Sequence, residues 1–210
     1  MKKLLFLSLA IGLNGCDGDL APLMTPAVPE ATAATGIHGS GFTANWNDFE
    51  GADAYAVDVA TDASFVSIVF VQSTINSSLN IGGLEPVTEY FYRVRATFNG
   101  QNPSGNSNII SLVTLPVPPV ATAATNATSD GFTANWNEVP DISTFLLFIS
   151  EDNFASDPPV YVAGYAGKEV TGTSFNVTGL ASGNLYYYAL KSKHNGVLSN
   201  YSNSIIAQTN

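Results

Sequence analysis

The sequence predicts an all-β chain of two tandem β-sandwiches, and three observations carry that expectation. The first is composition. Charged residues make up only 11% of the 210, while 18 Gly and 11 Pro punctuate the chain at short intervals, the mark of many short strands joined by turns. Hydrophobic residues at 45% are enough for real cores. The second is an internal repeat. Residues 31–47 read ATAATGIHGSGFTANWN and residues 121–137 read ATAATNATSDGFTANWN. A repeat this long is a whole domain rather than a solenoid unit. The third is strand periodicity, with apolar residues at every second position, as a strand with one buried face requires.

The chain opens with MKKLLFLSLAIGLNGC. Lys2 and Lys3 form a charged start and Leu4 to Leu13 an apolar run, of the length found in export signals and too short to span a bilayer as a permanent helix. The run ends in Leu13-Asn14-Gly15-Cys16, which resembles the lipobox of bacterial lipoproteins. That resemblance implies cleavage before Cys16 and lipid on the new N-terminal cysteine. Asn14 departs from the pattern, in which a small residue is commoner. Cys16 is the sole cysteine, so it has no disulfide partner within the chain. The expected organisation is a signal peptide over 1–15, a lipid-anchor tether over 16–25, one module over 26–115 and a second over 116–210. The expected location is the bacterial cell envelope, at the outer membrane or cell surface, with simple secretion as the alternative.

Within the first copy Phe42, Ala44 and Trp46 alternate with Thr43 and Asn45; Tyr55, Val57 and Val59 follow, then Tyr90, Tyr92, Val94 and Ala96. The second copy repeats the plan with Phe132, Ala134 and Trp136, then Phe145, Leu147 and Ile149, then Tyr186, Tyr188 and Leu190. Each set is expected to face a core, with seven short strands per copy. The offset between copies is 90 from Trp46/Trp136 to Asp62/Asp152, 96 by Leu84/Leu180 and 95 from Ser104/Ser199. The second copy therefore carries six extra residues in mid-module, where a loop absorbs them. Leu115-Pro116-Val117-Pro118-Pro119-Val120 joins the copies as a short, semi-rigid spacer.

The early strand ending in Trp46, the aromatic Tyr55 nine residues later, and Leu84-Glu85-Pro86-Val87-Thr88-Glu89-Tyr90 followed by Phe91-Tyr92-Arg93-Val94-Arg95-Ala96 together resemble a fibronectin type III module. Nearly all of residues 26–210 share the resemblance. It implies an immunoglobulin-like sandwich with a tyrosine corner. The second copy departs at that corner, reading Leu180-Ala181-Ser182-Gly183-Asn184-Leu185-Tyr186 without the Pro and Thr. Neither copy contains cysteine, so a disulfide-bearing immunoglobulin domain does not fit.

The formal charge is −10, and removing residues 1–15 would take away two more cations. An acidic surface of this kind disfavours nucleic acid and offers no polybasic patch to anionic lipid. His38 and His194 fall in different copies and are expected at the surface. No Ser-His-acid set, zinc-binding Cys/His cluster or phosphate loop is legible. Glu151, Asp152 and Asp157 are spaced too irregularly for a calcium loop. No catalytic residue, metal or cofactor is therefore expected.

The expected function is a non-catalytic binding, adhesion or spacer protein, with a protein or polysaccharide as ligand and the membrane reached through lipid on Cys16. The alternatives are a carbohydrate-binding accessory lipoprotein, or the N-terminal spacer of a larger secreted protein. One surface stands out. If Phe145, Leu147 and Ile149 point inward, Leu146 and Phe148 point outward. On the strand that the resemblance places alongside, Tyr187 and Ala189 point out too. These four are expected to form an exposed apolar binding patch, bordered by Tyr161 and Tyr165 of the insertion, or else to pack against the insertion, the linker or copy one.

Overall fold

A computed structural model describes residues 27–210. Cys16, the signal segment 1–15 and the tether 16–25 lie outside the described residues. Every regular element among the described residues is a strand. Strands β1 (Ala31–His38), β2 (Gly41–Trp46) and β5 (Ser78–Gly82) form one antiparallel sheet in the order β1-β2-β5. Strands β3 (Ala54–Ala60), β4 (Ile68–Thr74), β6 (Glu89–Thr97) and β7 (Ile110–Val113) form another in the order β4-β3-β6-β7. The second copy repeats both. Strands β8 (Ala121–Thr125), β9 (Phe132–Trp136) and β12 (Ser174–Val177) make a three-stranded sheet. Strands β10 (Thr144–Ser150), β11 (Ala166–Thr171), β13 (Leu185–His194), β14 (Val197–Leu198) and β15 (Ile205–Gln208) make the other. The two-residue β14 turns back on the end of β13, an eighth strand that no apolar alternation announces.

Strand alternation sets the interior. Phe42, Ala44, Trp46, Tyr55, Val57, Val59, Tyr90, Tyr92, Val94 and Ala96 are buried in one core, and their counterparts from Phe132 to Leu190 in the other. Trp46 lies 5.4 Å from Tyr55, and Trp136 lies 5.7 Å from Phe145, ring centre to ring centre. The tyrosine corner closes in both modules. Tyr90 Oη accepts the Glu85 amide at 3.0 Å, and Tyr186 Oη accepts the Ala181 amide at 2.9 Å. The corner thus survives the loss of Pro and Thr, because its bond uses a backbone amide that any residue there supplies.

Polar side chains stitch the sheets at equivalent places. Ser107 Oγ accepts the Val94 amide and Ser202 Oγ the Leu190 amide, both at 3.0 Å. Asn108 pairs with both backbone groups of Ala31, and Asn203 with both of Ala121, all at 2.9 Å. Gly41 and Gly131 are fixed by close approach, since a Cβ on either would sit about 2 Å from the carbonyl oxygen of Ile81 or Val177. The linker is bonded to both modules. Leu115 N donates to His38 O at 3.3 Å, and Ser192 Oγ donates to Val117 O at 2.6 Å.

Candidate functional site

The surface singled out by strand parity is the outer face of β10 and β13. Register places Phe148 opposite Ala189, Leu146 opposite Lys191 and Ser150 opposite Tyr187. The four expected residues therefore do share one face. Of the two outcomes expected for it, an open patch or packing against the insertion, the structure shows the second: Phe148 is 8% and Ala189 2% exposed, with Leu146 and Tyr187 half-buried. The cause is the insertion. The segment between β10 and β11 spans residues 151–165, against 61–67 between β3 and β4, and it folds back over the sheet.

Tyr161, from that insertion, packs on Phe148 at 5.4 Å, and Tyr201 meets the same ring edge-on at 5.0 Å. Phe154 completes the group, 6.2 Å from Tyr161 and 5.9 Å from Tyr201. The hydroxyls of Tyr161 and Tyr201 are 2.7 Å apart. Burial, with the help of the Tyr161 hydroxyl, pushes the Tyr201 hydroxyl well above its ordinary pKa. Lys191 Nζ stands 4.1 Å from the centre of the Tyr201 ring, a cation–π contact. Gly167 makes room for this group: at φ +91° it carries no Cβ, which would lie 3.2 Å from the Phe148 ring.

Tyr165 takes the opposite course. It enters the sandwich interior and joins the main core, where its hydroxyl donates to Thr178 O and accepts the Thr178 amide, both at 2.9 Å. It does not border the patch. Phe154 and Tyr201, which strand periodicity did not single out, do. Both lie outside named strands, where alternation gives no signal; a cluster of aromatics in an inserted loop is the one hint the sequence offers.

The insertion begins on a capped turn. Ser150 Oγ donates to Asp152, and the Ser156 hydroxyl and amide donate to the same carboxylate, the amide at 3.1 Å. The bonds from Ser150 and Ser156 hold the Asp152 carboxyl at about 2, below its ordinary 3.8. The carboxylate is thus engaged by its own loop. A hollow of about 460 Å³ lies beside it, lined by Glu151, Asp152 and residues 160–163. Among the described residues no group of three His, Cys, Asp or Glu side chains is placed to hold a metal ion. His38 is exposed and His194 half-buried; the latter lines a hollow of about 330 Å³ with Pro86, Val87, Pro116, Val117 and Ile142.

Strand order, register and corners together define the class: the chain folds as two tandem fibronectin type III sandwiches. No family model matches it. It is similar to chitinase A1 of Niallia circulans, 26% identical over 208 residues, covering 91% of this chain and 27% of that protein. It is also similar to endoglucanase B of Cellulomonas fimi, 29% identical over 165 residues, covering 75% of this chain and 16% of that protein. The chain thus spans less than a third of either enzyme. Among solved structures it is similar to a two-domain fibronectin type III segment of chicken tenascin, at 17% identity and TM-score 0.43, covering 87% of this chain and all of that one. It is similar as well to the FN1–FN3 domains of chicken CNTN1, at 14% identity and TM-score 0.40, covering 88% and 68%.

Proposed function

We propose that this chain is a non-catalytic spacer and presentation protein of the bacterial cell envelope, anchored through lipid on Cys16. The observation that carries the spacer role is the linker bonded to both modules, by His38 O of one and Ser192 Oγ of the other. Leu115 and Val117 are bonded on either side of Pro116, and Val120 O accepts the Asn137 amide beyond Pro118 and Pro119; bonds set among three prolines limit the freedom between modules, which is what a spacer needs and a flexible tether lacks. The partial matches to two long polysaccharide-degrading enzymes support a modular role beside other domains. Acyl chains contribute about 0.8 kcal/mol per buried methylene, so two or more hold a protein at a membrane without a spanning helix.

Two measurements test this reading. Wild type should take up labelled fatty acid and sediment with membranes, while Cys16→Ser should do neither; an unlabelled wild type refutes the anchor. Replacing residues 116–119 by Gly and Ser should widen the distribution of inter-module distances, and an unchanged distribution refutes the spacer.

A second reading is favoured by the Tyr161–Tyr201 pair with Lys191 beside it: a polysaccharide-binding accessory. Aromatic faces at a surface are the chemistry on which sugar rings stack, and the two similar enzymes are by name a chitinase and an endoglucanase. Retention on insoluble chitin or cellulose that Tyr201→Ala abolishes would support it; no retention by wild type would exclude those two polymers.

A further inference from the structure

The two modules carry the dipeptide Asn-Gly at equivalent places, Asn99-Gly100 and Asn195-Gly196, and fold it differently. The same pair of bonds pins the loop in each. Ser104 N donates to Ala96 O and Ala96 N to Ser104 Oγ, both at 2.9 Å. Ser199 N donates to Ser192 O at 3.0 Å and Ser192 N to Ser199 Oγ at 2.9 Å. Residues 193–198 lie between the pins in the second module, and residues 97–103, one more, in the first. The even count lets β13 and β14 pair to their ends, Lys193 with Leu198 and His194 with Val197. Asn195 at φ +48° and Gly196 at φ +82° are then the two-residue hairpin turn that Asn-Gly suits best. In the first module the extra residue spoils that register, and Pro103, standing where Leu198 stands, has no N–H to give to a ladder. Its turn is held by one backbone bond, Gln101 N to Phe98 O at 3.3 Å, and Asn99 N donates to Asp53 Oδ2 at 2.8 Å.

We propose that Asn99 is a site of spontaneous deamidation, and that the hairpin shields Asn195 from the same reaction. The chemistry needs only the two residues and water. The Gly100 amide nitrogen attacks Cγ of Asn99. The N–Cγ bond forms, the Cγ–Nδ2 bond breaks, and ammonia leaves carrying the amide proton. Water then opens the five-membered imide at either carbonyl, giving aspartate or, with the backbone rerouted through Cβ, isoaspartate. The two sites are matched in every respect but one. Both pairs are exposed, neither glycine has a Cβ to hinder attack, and among the described residues neither glycine amide donates a hydrogen bond. The backbone separates them. Ring closure swings the glycine nitrogen onto the asparagine side chain, a motion that a turn clamped by paired strands resists and a turn held by one long bond permits. Each event adds a negative charge beside Asp53, whose carboxylate already accepts the Asn99 amide.

Ageing the full folded chain in mildly alkaline buffer and mapping its peptides by mass spectrometry tests this. The Asn99 peptide should gain one mass unit and divide into aspartyl and isoaspartyl forms. It should do so ~10-fold or more faster than the Asn195 peptide, because paired-strand bonds must open before the latter can react. In urea, where both segments are unfolded, the two rates should converge. Asn99→Gln, whose longer side chain would have to close a six-membered ring, should all but stop the change at that peptide and leave Asn195 as it was. An Asn99 that stays unmodified in the folded chain, an Asn195 that keeps pace with it, or a gap that persists in urea would each overturn the proposal.

Discussion

On the outer face of its larger sheet, the first module sets Asp58 between Arg93 and Arg95, with Nε and Nη2 at 3.1 and 3.2 Å from the two carboxylate oxygens. Arg93 also lies 4.0 Å over the Phe65 ring. The second module sets Phe148, Ala189 and Lys191 at those three positions and roofs them with Phe154, Tyr161 and Tyr201. Both solutions bury the strand residue, for Asp58 is as hidden as Phe148. One does so with an ion cluster that short loops leave partly wet, the other with a small aromatic core that needs a longer loop to cover it. The interiors beneath keep the Phe, Ala and Trp of one strand and two Tyr of another at equivalent places, with Val57, Val59 and Val94 replaced by Leu147, Ile149 and Leu190 and Tyr165 added in the second. A module can thus keep its inner face fixed and exchange the chemistry of its outer face, provided the loop at the strand end changes with it.

The largest effects should show the interiors to be equivalent. Trp46→Ala and Trp136→Ala should each cost about 3–5 kcal/mol, the usual range for emptying a buried aromatic site. Denaturant melts followed module by module should show matched losses; a large inequality would break the comparison. Neither indole N–H has a partner, so no hydrogen bond is lost and the cost is one of packing.

The outer faces should then separate. Phe148→Ala should cost about 3 kcal/mol, the low end for a buried Phe, because its cover is a loop that can collapse. It should also raise exchange and protease cutting in residues 151–165. A surface Phe of ordinary kind would cost a small fraction of that, so a loss under about 0.5 kcal/mol would mean that the roof is not formed in solution. Asp58→Asn should cost less, about 1–2 kcal/mol, since Arg93 and Arg95 keep contact with water. That loss should shrink in high salt, whereas the Phe148→Ala loss should not. Equal salt dependence of the two would erase the distinction.

The smallest effect concerns pH. The Asp152 carboxyl is held at about 2 against an ordinary 3.8. Its folded value is the lower one, so its contribution is fully present above about pH 4 and fades as pH falls towards 2. Asp152→Asn should remove that acid sensitivity from the 151–165 loop, read by exchange at Phe154 and Ser156 amides. The first module's Asp62, lowered by the amides of Ser67 and Val66, should give the same trend there.

The sequence by itself determined the repeat, the two sandwiches and the inward residues of three strands in each copy. Those are local facts: alternation at period 2 is written in consecutive residues, and it assigned Phe148 and Ala189 to the outer face correctly. Whether an outward residue meets water is not local. It depends on where a loop lands, and the insertion has no period from which to read its path. Tyr161 and Tyr165 stand four residues apart in it, yet one packs on the outer face and the other enters the core. Tyr201 reaches Phe148 from beyond β14, more than fifty residues on in the chain.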